Sequence, residues 1–134
     1  MIREGIEFMS SEKQNLTIMI VDDEIDLAEI IAEDLEDHGY KVVIATSGDE
    51  GMTIVKNEKI DFILSDIKMP NGTGKELLVN VRNYNSELPV VVLMSGYSEL
   101  TESELTDLGA SALMAKPVSS QQIVEFIEKT FNLG

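Results

Sequence analysis

The sequence predicts an α/β fold, a single three-layer sandwich with a five-stranded parallel sheet between two layers of helices, five in all. Three observations carry that prediction. Five short apolar runs recur along the chain, each continuous rather than alternating, as in strands buried on both faces. A stretch of helical spacing follows every run through a short connection, the pattern of right-handed parallel crossovers. With 134 residues, 43% of them hydrophobic, the chain has material for one domain and a real core without disulfide or metal staples.

The elements follow in order. Ile18 to Val21 reads as the first strand, and Glu24 to Asp37 as a helix that His38-Gly39 ends, with glycine available for a left-handed cap. Tyr40 to Ala45 is apolar and β-branched, and Asp49 to Asn57 has helical spacing. Phe62 to Leu64 is the third strand. Met69-Pro70-Asn71-Gly72-Thr73-Gly74 must then be a loop, and a helix runs from about Lys75 to Asn83. Val90 to Met94 is the fourth strand, and the polar stretch Ser98 to Asp107 the fourth helix. Ala112 to Ala115 is the fifth strand, and Ser119-Ser120-Gln121-Gln122 is a capping box opening a last helix to Phe131. Residues 1–14 are read as an extension ahead of a domain covering 15–134.

Charge narrows the function. Twenty-five acids against ten bases give a formal net charge of −15, the wrong sign for binding nucleic acid or an anionic membrane. There is no cysteine, hence no disulfide, thiolate metal site or cysteine nucleophile. The amino terminus lacks the apolar core of a signal peptide, and no apolar run approaches the roughly 18 residues of a membrane span. A soluble, cytoplasmic protein is expected.

In an open parallel sheet, ligands bind beyond the carboxyl ends of the strands. Here the first strand ends in Asp22-Asp23, the third in Ser65-Asp66, the fourth in Ser95-Gly96 and the fifth in Lys116-Pro117. Three carboxylates, a hydroxyl and an ammonium thus converge on one edge. Carboxylates so close repel unless protons or a cation neutralise them, and oxygen-only ligands in a water-rich site favour Mg²⁺. Asp66 is the candidate nucleophile, able to form an aspartyl-phosphate. Lys116 would place a point charge, and Ser95 a hydroxyl donor, on the phosphoryl oxygens. The competing readings are an acidic helix start at Asp22-Asp23 and a solvated surface lysine at 116. The agreement of four strand ends weighs against both.

The segments Ile20-Val21-Asp22-Asp23-Glu24, Leu64-Ser65-Asp66-Ile67-Lys68-Met69-Pro70, Leu93-Met94-Ser95-Gly96-Tyr97 and Met114-Ala115-Lys116-Pro117 together resemble the receiver domain of two-component response regulators, the chemotaxis response regulator among them. The resemblance spans roughly residues 16 to 133. It implies a flavodoxin-like sheet of order 2-1-3-4-5. It implies that Asp66 accepts phosphate from a phosphohistidine on a sensor histidine kinase or a histidine phosphotransfer protein. By the same resemblance, Asp23, Asp66 and the Lys68 backbone carbonyl bind Mg²⁺ directly, Asp22 acts through water, and Ser95 and Lys116 bind the phosphoryl group. The chain would then be a phosphoacceptor that assists its own phosphorylation and dephosphorylation, not an enzyme acting on other substrates. Output is expected from another chain or from outside this sequence. Three positions depart from the family pattern: Leu113 where an aromatic often stands, Val118 where phenylalanine often follows Lys-Pro, and Thr73 where an acid is common. They bear on output, and no catalytic group is lost.

Surface features extend the reading. Residues 22 to 37 hold nine acids and no lysine or arginine, most of them a solvated face. At 100° per residue, Ile25, Ala28, Ile31, Ala32 and Leu35 share one arc, leaving Leu27 just beyond it and Ile30 on the other side. Leu27 and Ile30 are therefore expected to form an exposed patch for the kinase or phosphotransfer protein, with extra core burial as the alternative. The fourth helix has only two leucines, Leu100 and Leu105, and is the element expected to respond to phosphorylation; a merely marginal surface helix is the competing reading. Lys68 and Tyr97, two residues past Asp66 and Ser95, are expected at the pocket rim, tuning phosphate lifetime, with simple packing as the competing reading for Tyr97. Two other classes fit less well. A flavodoxin-like cofactor binder needs a glycine- and hydroxyl-rich loop where Asp22-Asp23-Glu24 stands. An Mg²⁺-dependent aspartyl-phosphate hydrolase needs an acid where Lys68 stands, and a cap domain.

Overall fold

A computed structural model of the chain describes residues 15–96 and 100–133. The strands are β1 (Thr17–Val21), β2 (Lys41–Ala45), β3 (Phe62–Asp66), β4 (Val90–Ser95) and β5 (Ala112–Ala115). The helices are α1 (Ile25–Asp37), α2 (Gly48–Asn57), α3 (Gly74–Tyr84), α4 (Glu102–Asp107) and α5 (Ser120–Phe131). All strand pairs are parallel and the order is β2-β1-β3-β4-β5, the predicted sheet.

Successive side chains on the inner strands go to opposite faces and build two cores. Ile18 and Ile20, Phe62 and Leu64, and Val92 and Met94 pack with Ala28, Ala32 and Leu35 of α1 and Ile123, Val124 and Ile127 of α5. Met19 and Val21, Ile63, and Val91 and Leu93 pack with Val55 of α2, Leu77, Leu78 and Val81 of α3, and Leu105 of α4. At the amino ends of the strands, the buried Asp61 ties β1 to β3. Its Oδ2 accepts a hydrogen bond from the Thr17 N–H at 2.8 Å, while its own N–H donates to the Thr17 carbonyl at 2.9 Å.

Several expectations need correction. Burial on both faces holds for β1 and β3, but β2 and β5 lie at the sheet edges and are mostly half-buried, since each has only one neighbouring strand. The fourth helix is shorter than the polar stretch suggested. It starts at Glu102 because the Thr101 hydroxyl accepts the Glu104 N–H and caps it there; Ser98 and Glu99 lie outside the described residues. Ile25 leaves the buried arc and is 47% exposed, because it opens α1 above the end of the sheet, beyond the reach of the core. The capping box at Ser119 forms, and so does a second one, Thr73 with Glu76, whose Thr-x-x-Glu signal the periodicity reading passed over. Gly39 takes φ 99° after α1, as its cap position required.

Candidate functional site

The register carries the acidic residues to one edge. Val21 pairs with Ser65, so Asp22 and Asp66 are neighbours just past that pair. Asp66 pairs with Met94, and Ser95 with Ala115, which puts Lys116 one step beyond β5. Main-chain bonds lock these ends: the Asp22 N–H donates to the Ala45 carbonyl at 3.0 Å, and the Lys116 N–H to the Ser95 carbonyl at 3.0 Å.

Side-chain oxygens of Asp22, Asp23 and Asp66 come within 4.8 Å of one another, with Asp22 and Asp66 buried and Asp23 exposed. Lys116 Nζ donates to Asp66 Oδ2 at 2.8 Å and lies 3.7 Å from Asp22 Oδ2. One ammonium thus faces three carboxylates, so the cluster keeps an excess of negative charge. Such a group of hard oxygen donors is suited to a divalent metal ion. Burial raises the Asp22 pKa above the ordinary carboxylate value, and the charges of Asp66 and Glu24 add to that. The Glu24 N–H, 2.9 Å from Oδ1, and Lys116 pull the other way without cancelling it. For Lys116, burial disfavours the ammonium, but the hydrogen bond and charge of Asp66, with Asp22 and Glu24, outweigh it and hold the pKa above the usual lysine value.

The pocket over this cluster has a volume of about 310 Å³ and is lined by Asp23, Glu24, Asp66, Lys68, Ser95, Gly96 and Lys116. The structure therefore brings together Asp22, Asp23, Asp66, Ser95, Lys68 and Lys116. Tyr97 lies outside the described residues. Leu27 and Ile30 are 45% and 59% exposed and border a different, larger groove of about 450 Å³. Ile31, Met94, Pro117 and Val118 also line that groove, as do Asp22 and Lys116 of the acidic cluster. Ile25 adds a third exposed apolar side chain on α1. Sequence reasoning gave no role to Glu24, which lines the pocket and holds Asp22 through its main chain; its place in the Asp-Asp-Glu run was the available signal.

The family model of the response regulator receiver domain matches residues 18–128. The chain belongs to that family. A CheY-like response regulator receiver domain protein from Methanospirillum hungatei has a crystal structure 31% identical in sequence with a TM-score of 0.81, covering 87% of this chain and 94% of that one. A response regulator from Burkholderia pseudomallei, crystallised with a phosphorylated aspartic acid, a calcium ion and citrate, is 26% identical with a TM-score of 0.75, covering 82% of this chain and 65% of that one. Among curated proteins, the transcriptional regulatory protein GlrR of Escherichia coli K12 is 29% identical over 111 residues, 83% of this chain. The chain spans about a quarter of the length of the curated relatives it matches. Among the described residues, no helix of this receiver domain is long and apolar enough to cross a membrane.

The raised pKa of Asp22 has a consequence for stability. Its ionised form is less favourable in the fold than in the unfolded chain, so its contribution is fullest below the unfolded pKa and is lost as pH rises through the folded one. At neutral pH, Asp22→Asn removes that penalty. Thermal melts of the metal-free domain are expected to show the variant melting above wild type.

Proposed function

We propose that Asp66 is the phosphoacceptor of this receiver domain, and that Lys116, Ser95, Asp22, Asp23 and the Lys68 backbone carbonyl complete its chemistry. The observation that carries the proposal is the 2.8 Å bond from Lys116 to Asp66 within a cluster of carboxylates at the sheet edge. The Burkholderia relative, crystallised with a phosphorylated aspartic acid, supports it from outside.

The donors fit Mg²⁺, since they are oxygens: the carboxylates of Asp22, Asp23 and Asp66, together with the Lys68 backbone carbonyl, would hold it. When bound, the ion offsets the charge of the carboxylates and of the incoming phosphoryl oxygens and orients the displacement. Lys116 holds Asp66 Oδ2 and so orients the carboxylate that attacks. The P–O bond forms as the P–N bond of a phosphohistidine breaks, and its electron pair returns to the imidazole of the donor. Lys116 then pairs with the phosphoryl oxygens, and the Ser95 hydroxyl donates to another of them. Lys68, which lines the pocket, governs access of the water that later removes the group. The domain thereby assists its own phosphorylation and dephosphorylation, and α4 is the element that passes the change to a protein partner.

Intact-protein mass after incubation with acetyl phosphate tests this directly. One added phosphoryl group is expected, and it should vanish without Mg²⁺ or in Asp66→Asn. Uptake that persists in Asp66→Asn at the wild-type level would contradict the assignment.

The phosphodonor is a sensor histidine kinase or a histidine phosphotransfer protein, and it docks on α1. Leu27 and Ile30 stand exposed there and line a groove that also includes Asp22 and Lys116, so a helix seated in it would lie against residues of the acidic cluster. A charge set in the middle of that apolar contact should be costly. Ile30→Glu is expected to slow transfer from the cognate kinase about tenfold or more while leaving uptake from acetyl phosphate unchanged. Transfer at the normal rate would remove α1 as the docking site.

A further inference from the structure

β3 is buried along its whole length, and its first three residues, Phe62-Ile63-Leu64, are apolar. Ser65 interrupts them with a hydroxyl that is fully excluded from solvent. A buried hydroxyl is costly unless it is hydrogen-bonded, and an apolar side chain would serve the core better. This one donates to the main-chain carbonyl of the next residue, Asp66, at 2.9 Å. The same peptide unit is held from two further directions. The Ile67 N–H donates to the Met94 carbonyl at 3.1 Å, fixing it to β4. Gly74, the first residue of α3, lies so close that a side-chain carbon there would collide with the Asp66 carbonyl oxygen and stand 3.0 Å from the Asp66 carbonyl carbon and Ile67 Cα. The Gly74 N–H also donates to the Ile67 carbonyl at 2.9 Å.

We propose that Ser65 is a positioning residue for the acceptor: its hydroxyl, working against the close face of Gly74, fixes the peptide that carries the Asp66 carboxylate. The inference rests on Asp66 being the phosphoacceptor and adds the device that aims it. An in-line displacement is sensitive to sub-ångström placement of the attacking oxygen, so a peptide free to rock by a few tenths of an ångström spends less time aligned. Ser65 does this from the α3 side of the sheet, sharing the face of Ile63, without touching the pocket.

Two variants separate the hydroxyl from its volume. Ser65→Ala removes the donor, and Ser65→Cys keeps nearly the same bulk with a weak donor. Asp61→Ala, at the far end of the same strand, supplies the control for general destabilisation, since it deletes the buried bond to the Thr17 N–H. Uptake from acetyl phosphate is followed by intact mass at saturating Mg²⁺. Both Ser65 variants are expected to fall about threefold to tenfold in maximal rate, with Asp61→Ala at the wild-type rate. A wild-type rate in Ser65→Cys, or an equal loss in Asp61→Ala, would overturn the proposal. Amide hydrogen exchange gives an arm that needs no phosphorylation. Protection of the Ile67 N–H should drop in Ser65→Ala and hold in Asp61→Ala, and unchanged protection in Ser65→Ala would also overturn it. If protection drops while the wild-type domain takes up no phosphoryl group, the clamp stands and the reading of Asp66 fails instead.

Discussion

The site depends on like charges held together against their repulsion. Asp22, Asp23 and Asp66 share one small region, and a single ammonium, Lys116, bridges two of them. Left to itself, that arrangement would disperse, because carboxylates prefer to be apart and solvated. It persists because each group is fixed by main chain that the sheet has already committed. The Asp22 N–H continues the ladder from β1 to β2, the Lys116 N–H that from β5 to β4, and Asp66 closes β3 at the centre. Burial raises the pKa of Asp22, with the charges of Asp66 and Glu24 adding to it, and the raised pKa of Lys116 shows what relieves part of that cost. A cation would meet a site whose repulsion is already imposed by the fold, so its binding is helped by the relief of that repulsion.

The two cores explain why the fold can hold such a cluster. β1 and β3 are buried on both faces by five helices, so their carboxyl ends have little freedom to splay apart. By contrast, α4 has one buried side chain and six residues. Its Glu102 carboxylate accepts the Leu113 N–H on the edge strand β5 at 3.0 Å, a side-chain tether between the two. The rigid centre aims the chemistry, and the lightly held α4–β5 edge is the part that a change at Ser95 could move.

Much of this was legible in the residues. The five apolar runs located every strand, because burial on a central sheet leaves a hydrophobic signature that polar loops interrupt. The site was legible for the same reason: parallel topology sends all strand ends to one edge, so polar residues after each run had to meet. What escaped notice depends on main-chain geometry. Ser65 looked like an ordinary residue before Asp66, and only its Oγ contact with the next carbonyl separates it from a core filler. Gly74 looked like the last residue of a loop, although its lack of a side chain lets α3 press on Asp66. Ile25 satisfied the helical arc and is nevertheless exposed, because periodicity describes direction around a helix and not how far the core extends along it. The start of α4 was misplaced because a polar stretch sets no boundary by periodicity, and the Thr101 side chain caps the helix so that it begins at Glu102.

The central claim is that one particular carboxylate in a crowded cluster takes the phosphoryl group. Borohydride reduces an acyl phosphate to the alcohol, which turns a phosphorylated aspartate into homoserine and leaves a permanent mark in the chain. Peptide mass mapping of the domain, treated with acetyl phosphate and Mg²⁺ and then reduced, reads the position of that mark. Homoserine at position 66, with Asp22 and Asp23 intact, is the predicted result. Homoserine at position 22 or 23, with Asp66 unchanged, would contradict the account.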